Sequence, residues 1–223
     1  PQTGSLNITG GTIKSTGTTA IEMRRGTLNV SGNPTITTGA TEFKFERNDS
    51  GATTVGAAVA IAPYDAKEIK VSISGGTFTG VKALSYVNPN SVANPVVSIN
   101  VTGGTFSTDI TDALRNTEVT SNLDDISIVE AGGKFTVGSY VAQAGNTKYT
   151  SLEAAFKAAE DGSTIKLLSD DTVNNQIVVT DGKTVTLDLN GKNVTSSDDI
   201  TPFLVSGGEL KVRLRLFLRL TKM

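Results

Sequence analysis

The amino-acid sequence predicts an all-β protein whose chain is wound into a right-handed parallel β-helix. Three observations favour this solenoid. A short phrase centred on Gly-Gly-Thr recurs along the chain, the composition suits short strands joined by tight turns, and one segment alone has a clear helical pattern. A single coil built from such a phrase cannot bury its own apolar face, so successive coils have to stack and share a core.

The recurring phrase has two apolar residues flanking a polar one, then Ser or Thr, then Gly-Gly-Thr and a bulky apolar residue. Clear copies occupy residues 6–13, 71–78 and 99–106, and looser copies occupy 28–32, 131–135 and 204–210. We interpret each copy as a strand with alternating faces, a bend that glycine permits, and a second strand. The bends at Gly10, Gly32, Gly75, Gly103 and Gly132 are 22, 43, 28 and 29 residues apart. The same turn chemistry in each copy favours a solenoid over an antiparallel β-sandwich, which does not need it.

One helix is expected near residues 151–160, where it would cover the open end of a set of coils. Thr150 is the predicted N-cap, Glu153 completes a capping box, and Gly162 ends the helix. The apolar stripe consists of Leu152, Ala155, Phe156 and Ala159. We therefore predict three parts: the last coils of a first β-helix in 1–139, a linker in 140–148, and the capping helix with the first coils of a second β-helix in 149–223.

The segments around this helix resemble a known family. Residues 149–159, 162–168 and 186–192 look like the opening of pectin-lyase-like β-helix domains, which occur in large surface proteins of gut-type bacteria described as adhesins. The phrase at 74–78 is similar to repeats of the same proteins, and the resemblance covers most of residues 6–210. The shared motifs are structural, so the resemblance implies a fold and a secreted or cell-surface location, and it carries over no catalytic residue.

The composition excludes several kinds of chemistry. Because the chain has neither Cys nor His, the usual zinc sites, thiol nucleophiles and Ser-His-Asp triads are excluded. The last thirteen residues contain five basic and no acidic side chains, so residues 1–210 contain 15 basic and 22 acidic ones. Such an acidic body argues against nucleic acid as a partner. No apolar run approaches the roughly 20 residues of a membrane span, so membrane insertion is not expected either.

Two kinds of side chain are candidates for a site. The acidic pairs are Asp124-Asp125, Asp170-Asp171 and Asp198-Asp199, and each stands among turn-forming residues. Neighbouring residues of a strand point to opposite faces, so a sequential pair does not make a catalytic or Ca²⁺ site by itself. The second kind comprises the four tyrosines Tyr64, Tyr86, Tyr140 and Tyr149, which would stack on sugar rings if exposed. Two of them flank the predicted linker and are expected to pack at the junction of the two parts instead. The sequence assigns no catalytic residue, no metal ligand, no cofactor and no ligand-binding residue.

The function expected from these observations is a non-enzymatic surface or secreted module that binds a glycan or a host surface protein. The alternatives left open are a polysaccharide lyase or hydrolase of the pectin-lyase-like fold, and a passive structural spacer. In addition, apolar and mostly basic residues alternate in 211–220. This pattern predicts a further strand with an unprotected edge, through which the chain would self-associate.

Overall fold

The computed structural model describes residues 4–48, 51–197 and 199–214. The predicted β-helix is confirmed: 53% of the residues lie in strands and 7% in helices, and the strands form a β-solenoid of about eight turns. The chain divides into two compact units, Pro1–Gly138 and Ser139–Met223. Within the described residues, no helix is long and apolar enough to cross a membrane.

Among its described residues, the first unit contains fourteen strands, of which the last reaches the boundary. They are β1 (Ser5–Ile8), β2 (Thr12–Ser15), β3 (Ile21–Met23), β4 (Gly26–Val30), β5 (Thr35–Thr38), β6 (Lys44–Asn48), β7 (Gly51–Val55), β8 (Ala57–Ile61), β9 (Ile69–Thr79), β10 (Lys82–Tyr86), β11 (Val97–Phe106), β12 (Val119–Ser121), β13 (Ile126–Ala131) and β14 (Lys134–Ser139). Helix α1 (Thr111–Arg115) and a 3-10 turn (Leu123–Asp125) lie between them.

The coils of the first unit stack in parallel, as the repeat requires. The largest sheet has the order β1-β4-β9-β11-β14-β13, and a second sheet has the order β10-β8-β3. Strands β9 and β11 continue through the Gly-Gly bend, so that Val71 pairs with Ile99 before it and Phe78 with Phe106 after it. Before the bend every second side chain points inward and is buried, and beyond the bend Phe78 and Phe106 are buried, which gives the phrase its shared core.

The irregular spacing of the bends results from insertions between coils. Leu28 pairs with Val71, a step of 43 residues, whereas Asn7 pairs with Asn29, a step of 22. The longer step contains the antiparallel hairpin β6–β7, which pairs with itself and not with a neighbouring coil. The step of 28 residues between β9 and β11 contains the loop 87–96.

Two features of the first unit differ from the prediction. The prediction that residues 131–135 form a copy of the repeat is wrong, because Gly132 and Gly133 form the two-residue turn between β13 and β14. Both glycines have positive φ, 58° and 71°, as a tight hairpin turn requires, and β14 pairs with β11 in antiparallel orientation. Helix α1 was not expected, since it is only five residues long and its pattern of two buried residues is too short to recognise.

The second unit has coils made of three short strands. Its strands are β15 (Ala142–Ala144), β16 (Thr147–Tyr149), β17 (Thr164–Leu167), β18 (Asp171–Val173), β19 (Ile177–Thr180), β20 (Thr184–Asp188), β21 (Val194–Ser196), β22 (Phe203–Ser206) and β23 (Glu209–Arg213). Parallel pairs join β17 to β20, β20 to β23, β18 to β21, and β19 to β22. Strands β15 and β16 form a hairpin in the interval 140–148, where a linker is predicted. The limits of the three predicted parts stay a prediction.

Helix α2 (Leu152–Ala158) confirms the predicted capping helix and its apolar stripe, but its ends differ. The N-cap is Ser151 rather than Thr150, because the Ser151 hydroxyl accepts a hydrogen bond from the Ala154 amide at 3.1 Å. The Glu153 carboxylate accepts from the Asn174 amide at 2.9 Å instead of completing a capping box. The helix ends before Ala159, three residues ahead of the predicted stop.

Candidate functional site

The inserted segments of the first unit meet around Tyr64, in the turn that follows β8. The Ala52 amide of the β6–β7 hairpin donates to the Asn90 side-chain oxygen at 2.9 Å. The Asn90 side-chain amide in turn donates to the Pro63 carbonyl at 3.0 Å. One asparagine therefore ties the hairpin, the loop 87–96 and the Tyr64 turn together. We call Arg24, Arg25, Tyr64, Asp65 and Asn90 the Tyr64 site.

The Tyr64 ring is accessible and lies beside two guanidinium groups. Tyr64 is 43% exposed to solvent. The guanidinium carbons of Arg24 and Arg25 lie 5.5 Å and 5.8 Å from the ring centroid, within the range of a cation–π interaction. These contacts hold the ring in place while leaving part of it open to solvent.

Each of the two arginines is matched by a carboxylate. The Arg24 Nε donates to Glu22 Oε1 at 2.7 Å, and its Nη2 donates to the Ala52 carbonyl at 3.0 Å. The Arg25 Nη2 lies 3.0 Å from Asp65 Oδ2, and both of these side chains are about one-third exposed. The site thus offers hydrogen-bond donors and acceptors next to the ring. Because each arginine is paired with a carboxylate, the positive charges of the two arginines are balanced.

Glu22 anchors the hairpin to the coil on which Arg24 stands. Its second oxygen accepts from the Thr54 amide at 2.5 Å and from the Thr54 hydroxyl at 2.6 Å. Thr54 is buried, so this contact is shielded from water. Gly51 at the start of β7 has φ +102°, and a Cβ there would come within 3.0 Å of the Tyr64 ring. The sequence therefore needs glycine at this position for the ring to pack against the hairpin.

The other tyrosines are less accessible than Tyr64, and all four lie in the described residues. Tyr86 is buried, and its hydroxyl donates to Glu118 at 2.7 Å. Tyr140 and Tyr149 of the second unit are half-buried, with the Lys148 ammonium 5.4 Å from the Tyr140 ring. Tyr64 is thus the tyrosine whose ring a ligand would reach most easily.

The acidic pairs lie in turns or at the start of a strand, where Asp171 is the first residue of β18. Asp124 and Asp125 are exposed in the 3-10 turn. Asp170 accepts from the Asn193 amide, and Asp171 from the Leu152 amide, each at 2.8 Å, beside an open cavity of about 530 Å³. Asp199 is exposed at φ 64°, and Asp198 lies outside the described residues. Among the residues that the structure describes, no three acidic side chains are grouped so that they could hold a metal ion.

A second polar surface follows the coils of the first unit. Parallel register places Thr12, Thr35, Thr77 and Thr105 in one row beyond the bends. The Asn29 side chain donates to the Asn7 side chain at 2.7 Å in a row before the bends. These rows consist of small polar side chains on ordinary outward positions of strands.

The sequence indicates Tyr64 as one of four candidate tyrosines, but it does not indicate the other residues of the site. Asn90 and the two arginines belong to separate coils, and only stacking brings them together. The one available signal was the interval of 43 residues between Gly32 and Gly75, about twice the shortest interval. In repeat proteins such an excess indicates an insertion, and insertions often form the binding face.

The chain is similar to Cellulose-binding protein A of Clostridium cellulovorans, with 29% identity over 155 residues. The matched region is 69% of this chain but only 7% of that protein. No family model matches the chain, and no solved structure matches it. The likeness to pectin-lyase-like surface proteins remains a resemblance of motifs.

Proposed function

We propose that this chain is a non-enzymatic carbohydrate-binding module of a secreted or cell-surface bacterial protein, and that it binds sugars at the Tyr64 site. The observation that carries the proposal is the partly exposed Tyr64 ring, which lies beside two arginines at the point where the insertions of the solenoid meet. Loops held by a rigid scaffold are the usual place for binding residues.

The chemistry of the Tyr64 site suits a sugar. A pyranose has an apolar face of C–H groups and a rim of hydroxyls, and an aromatic ring packs against the first while polar groups bind the second. The guanidinium of Arg25 supplies donors and the carboxylate of Asp65 supplies acceptors within the same contact. The ring and the ion pairs are already held by the protein, so little conformational entropy is lost on binding.

The similarity to a protein named for cellulose binding supports carbohydrate as the ligand class. This chain corresponds to only 7% of that protein, so the activity of the whole relative is not transferred. The surface location and a role in adhesion rest on the resemblance to surface β-helix proteins and are part of the proposal.

The proposal of a non-enzymatic role rests on how the acidic side chains are used. Asp170 accepts a hydrogen bond from the Asn193 amide just before β21, and Asp171 accepts one from the Leu152 amide at the start of α2, so both carboxylates fix the backbone. We expect no unsaturated product, seen as a rise in ultraviolet absorbance, when the protein is incubated with polygalacturonate with or without Ca²⁺. Such a rise would favour the lyase alternative.

Affinity electrophoresis tests the binding proposal directly. We expect gels that contain soluble β-glucan to retard the protein, and we expect Tyr64→Ala to migrate as in a gel without polysaccharide. Tyr140→Ala is the matched control, because it removes a tyrosine that also lies beside a cation but in the second unit. A wild-type protein that no soluble glycan retards, or equal retardation of Tyr64→Ala and wild type, contradicts the proposal.

A further inference from the structure

We infer that the Tyr64 site selects a neutral sugar, and that the Arg25–Asp65 ion pair forms hydrogen bonds with two adjacent hydroxyls of that sugar. This inference rests on the proposed function, since it specifies the ligand of the same site. It concerns side chains that neither the sequence pattern nor the similarity to a cellulose-binding protein singles out.

The Arg25–Asp65 ion pair lies next to the Tyr64 ring, which the proposed sugar contacts. The Arg25 guanidinium lies 5.8 Å from the ring centroid, and its Nη2 lies 3.0 Å from Asp65 Oδ2. The two side chains are 32% and 35% exposed. A ligand on the accessible part of the ring would therefore meet both partners of the ion pair at its edge.

Hydrogen-bonding capacity remains on both partners. Asp65 accepts from Arg25 and, through its other oxygen, from the Lys67 amide at 3.1 Å. A carboxylate has about four lone-pair sites and a guanidinium has about five N–H donors. A hydroxyl both donates and accepts, so adjacent sugar hydroxyls are able to accept from Arg25 and donate to Asp65 at once.

The charge balance favours a neutral ligand over an acidic one. Arg24 is paired with Glu22 and Arg25 with Asp65, so the cations over the ring are already matched. A sugar carboxylate would have to displace Asp65 from Arg25 and would leave a negative charge unpaired beside it. The donor–acceptor pair thus matches hydroxyls better than it matches an anion.

Calorimetric titration with cellohexaose and with an oligogalacturonate of the same length tests this selection. We expect the wild type to bind cellohexaose at least about tenfold more tightly, with little change between low and high salt. Asp65→Asn keeps the shape but loses the charged acceptor, and we expect about tenfold weaker binding of cellohexaose. Arg25→Lys keeps the charge but loses the planar fork, and we expect a similar loss.

Glu68→Gln is the matched control, because Glu68 forms an ion pair with Lys70 of the same 3.0 Å length and is not one of the residues of the Tyr64 site. Its affinity for cellohexaose should equal that of the wild type. Equal or tighter binding of the oligogalacturonate, or Asp65→Asn and Arg25→Lys variants that bind cellohexaose as Glu68→Gln does, would overturn the inference. In either case a loss of binding in Tyr64→Ala would still support the proposed function, whereas a wild type that binds neither sugar overturns both.

Discussion

The rings of Phe78 and Phe106 stack on adjacent coils, with their centroids 4.7 Å apart and their planes 8° from parallel. Both side chains are fully buried, and their strands pair in parallel register. The same register continues the column through Ile36 and Ile13 of the preceding coils. The bulky apolar residue that follows the threonine after each bend thus belongs to one stack in the first unit.

Removal of one ring from this stack should destabilise the first unit strongly. Phe106→Ala leaves a cavity next to Phe78, and we expect the free energy of unfolding to fall by about 3–5 kcal/mol. Urea unfolding followed by circular dichroism measures the change. Val129→Ala, at a residue that is 52% exposed, should alter it by no more than about 0.5 kcal/mol. Equal effects of the two substitutions would contradict the role of the stack.

The glycine bends should tolerate a side chain only where no coil lies beneath them. A Cβ at Gly75 would lie 2.3 Å from the Gly32 carbonyl oxygen, whereas nothing lies within 4 Å of a Cβ at Gly10. We expect Gly75→Ala to lower the free energy of unfolding by about 1–3 kcal/mol or more, because the stacked backbone has to move apart. Gly10→Ala should have almost no effect on the same measurement. If Gly75→Ala is as stable as Gly10→Ala, the coils are not packed as closely as the structure indicates.

The stability of the first unit should fall at alkaline pH in part through Tyr86. Burial raises the pKa of the Tyr86 hydroxyl, and the hydrogen bond to Glu118 raises it further. An unfolded tyrosine titrates near pH 10, so the contribution of Tyr86 is fully present below about that pH and is lost as pH rises toward the higher folded pKa. We expect the free energy of unfolding to fall more steeply above about pH 10 in the wild type than in Tyr86→Phe. Parallel curves for the two proteins would show that the folded and unfolded pKa values of Tyr86 are alike.

Limited proteolysis tests the predicted boundary between two β-helical parts. Within 140–148, Gly145 and Asn146 form the exposed tip of the β15–β16 hairpin. Exposed loop tips are preferred cleavage sites, so we expect an early cut at this turn and slow cleavage within the coils. Early cuts inside β9 or β20, with the turn left intact, would place the boundary elsewhere.

The predicted self-association through residues 211–220 depends on apolar side chains that no neighbouring coil covers in the described residues. Val212 of β23 is 54% exposed, whereas Leu187, its partner on β20, is 1% exposed. Residues 215–220 lie outside the described part of the chain. We expect Val212→Lys to weaken association of the full chain in sedimentation experiments. Val178→Lys, at an exposed apolar residue of β19, is the control and should leave association unchanged. A wild type that sediments as a monomer at all concentrations contradicts the prediction.

The repeat made the solenoid predictable because one phrase contains everything that a coil needs. The alternation of Ile99, Asn100 and Val101 defines which face is buried, and the glycines after them mark the bend. The capping helix was predictable for a similar reason, since Leu152, Ala155 and Phe156 lie on one face at helical spacing. Its N-cap was misplaced by one residue, because Thr150 and Ser151 are both good caps and only the backbone conformation selects between them.

The sequence by itself therefore determined the coil, its core and the residue types that were able to form a site. Only the tertiary structure decided that Gly132 and Gly133 turn an antiparallel hairpin, and that Arg24, Tyr64 and Asn90 come together. The physical reason is that a repeat predicts the contacts between equivalent positions of successive coils. The local pattern and the register determine those contacts. Contacts between insertions depend on how far each loop reaches and on single hydrogen bonds, such as the one from Ala52 to Asn90. A periodic sequence pattern does not predict these contacts.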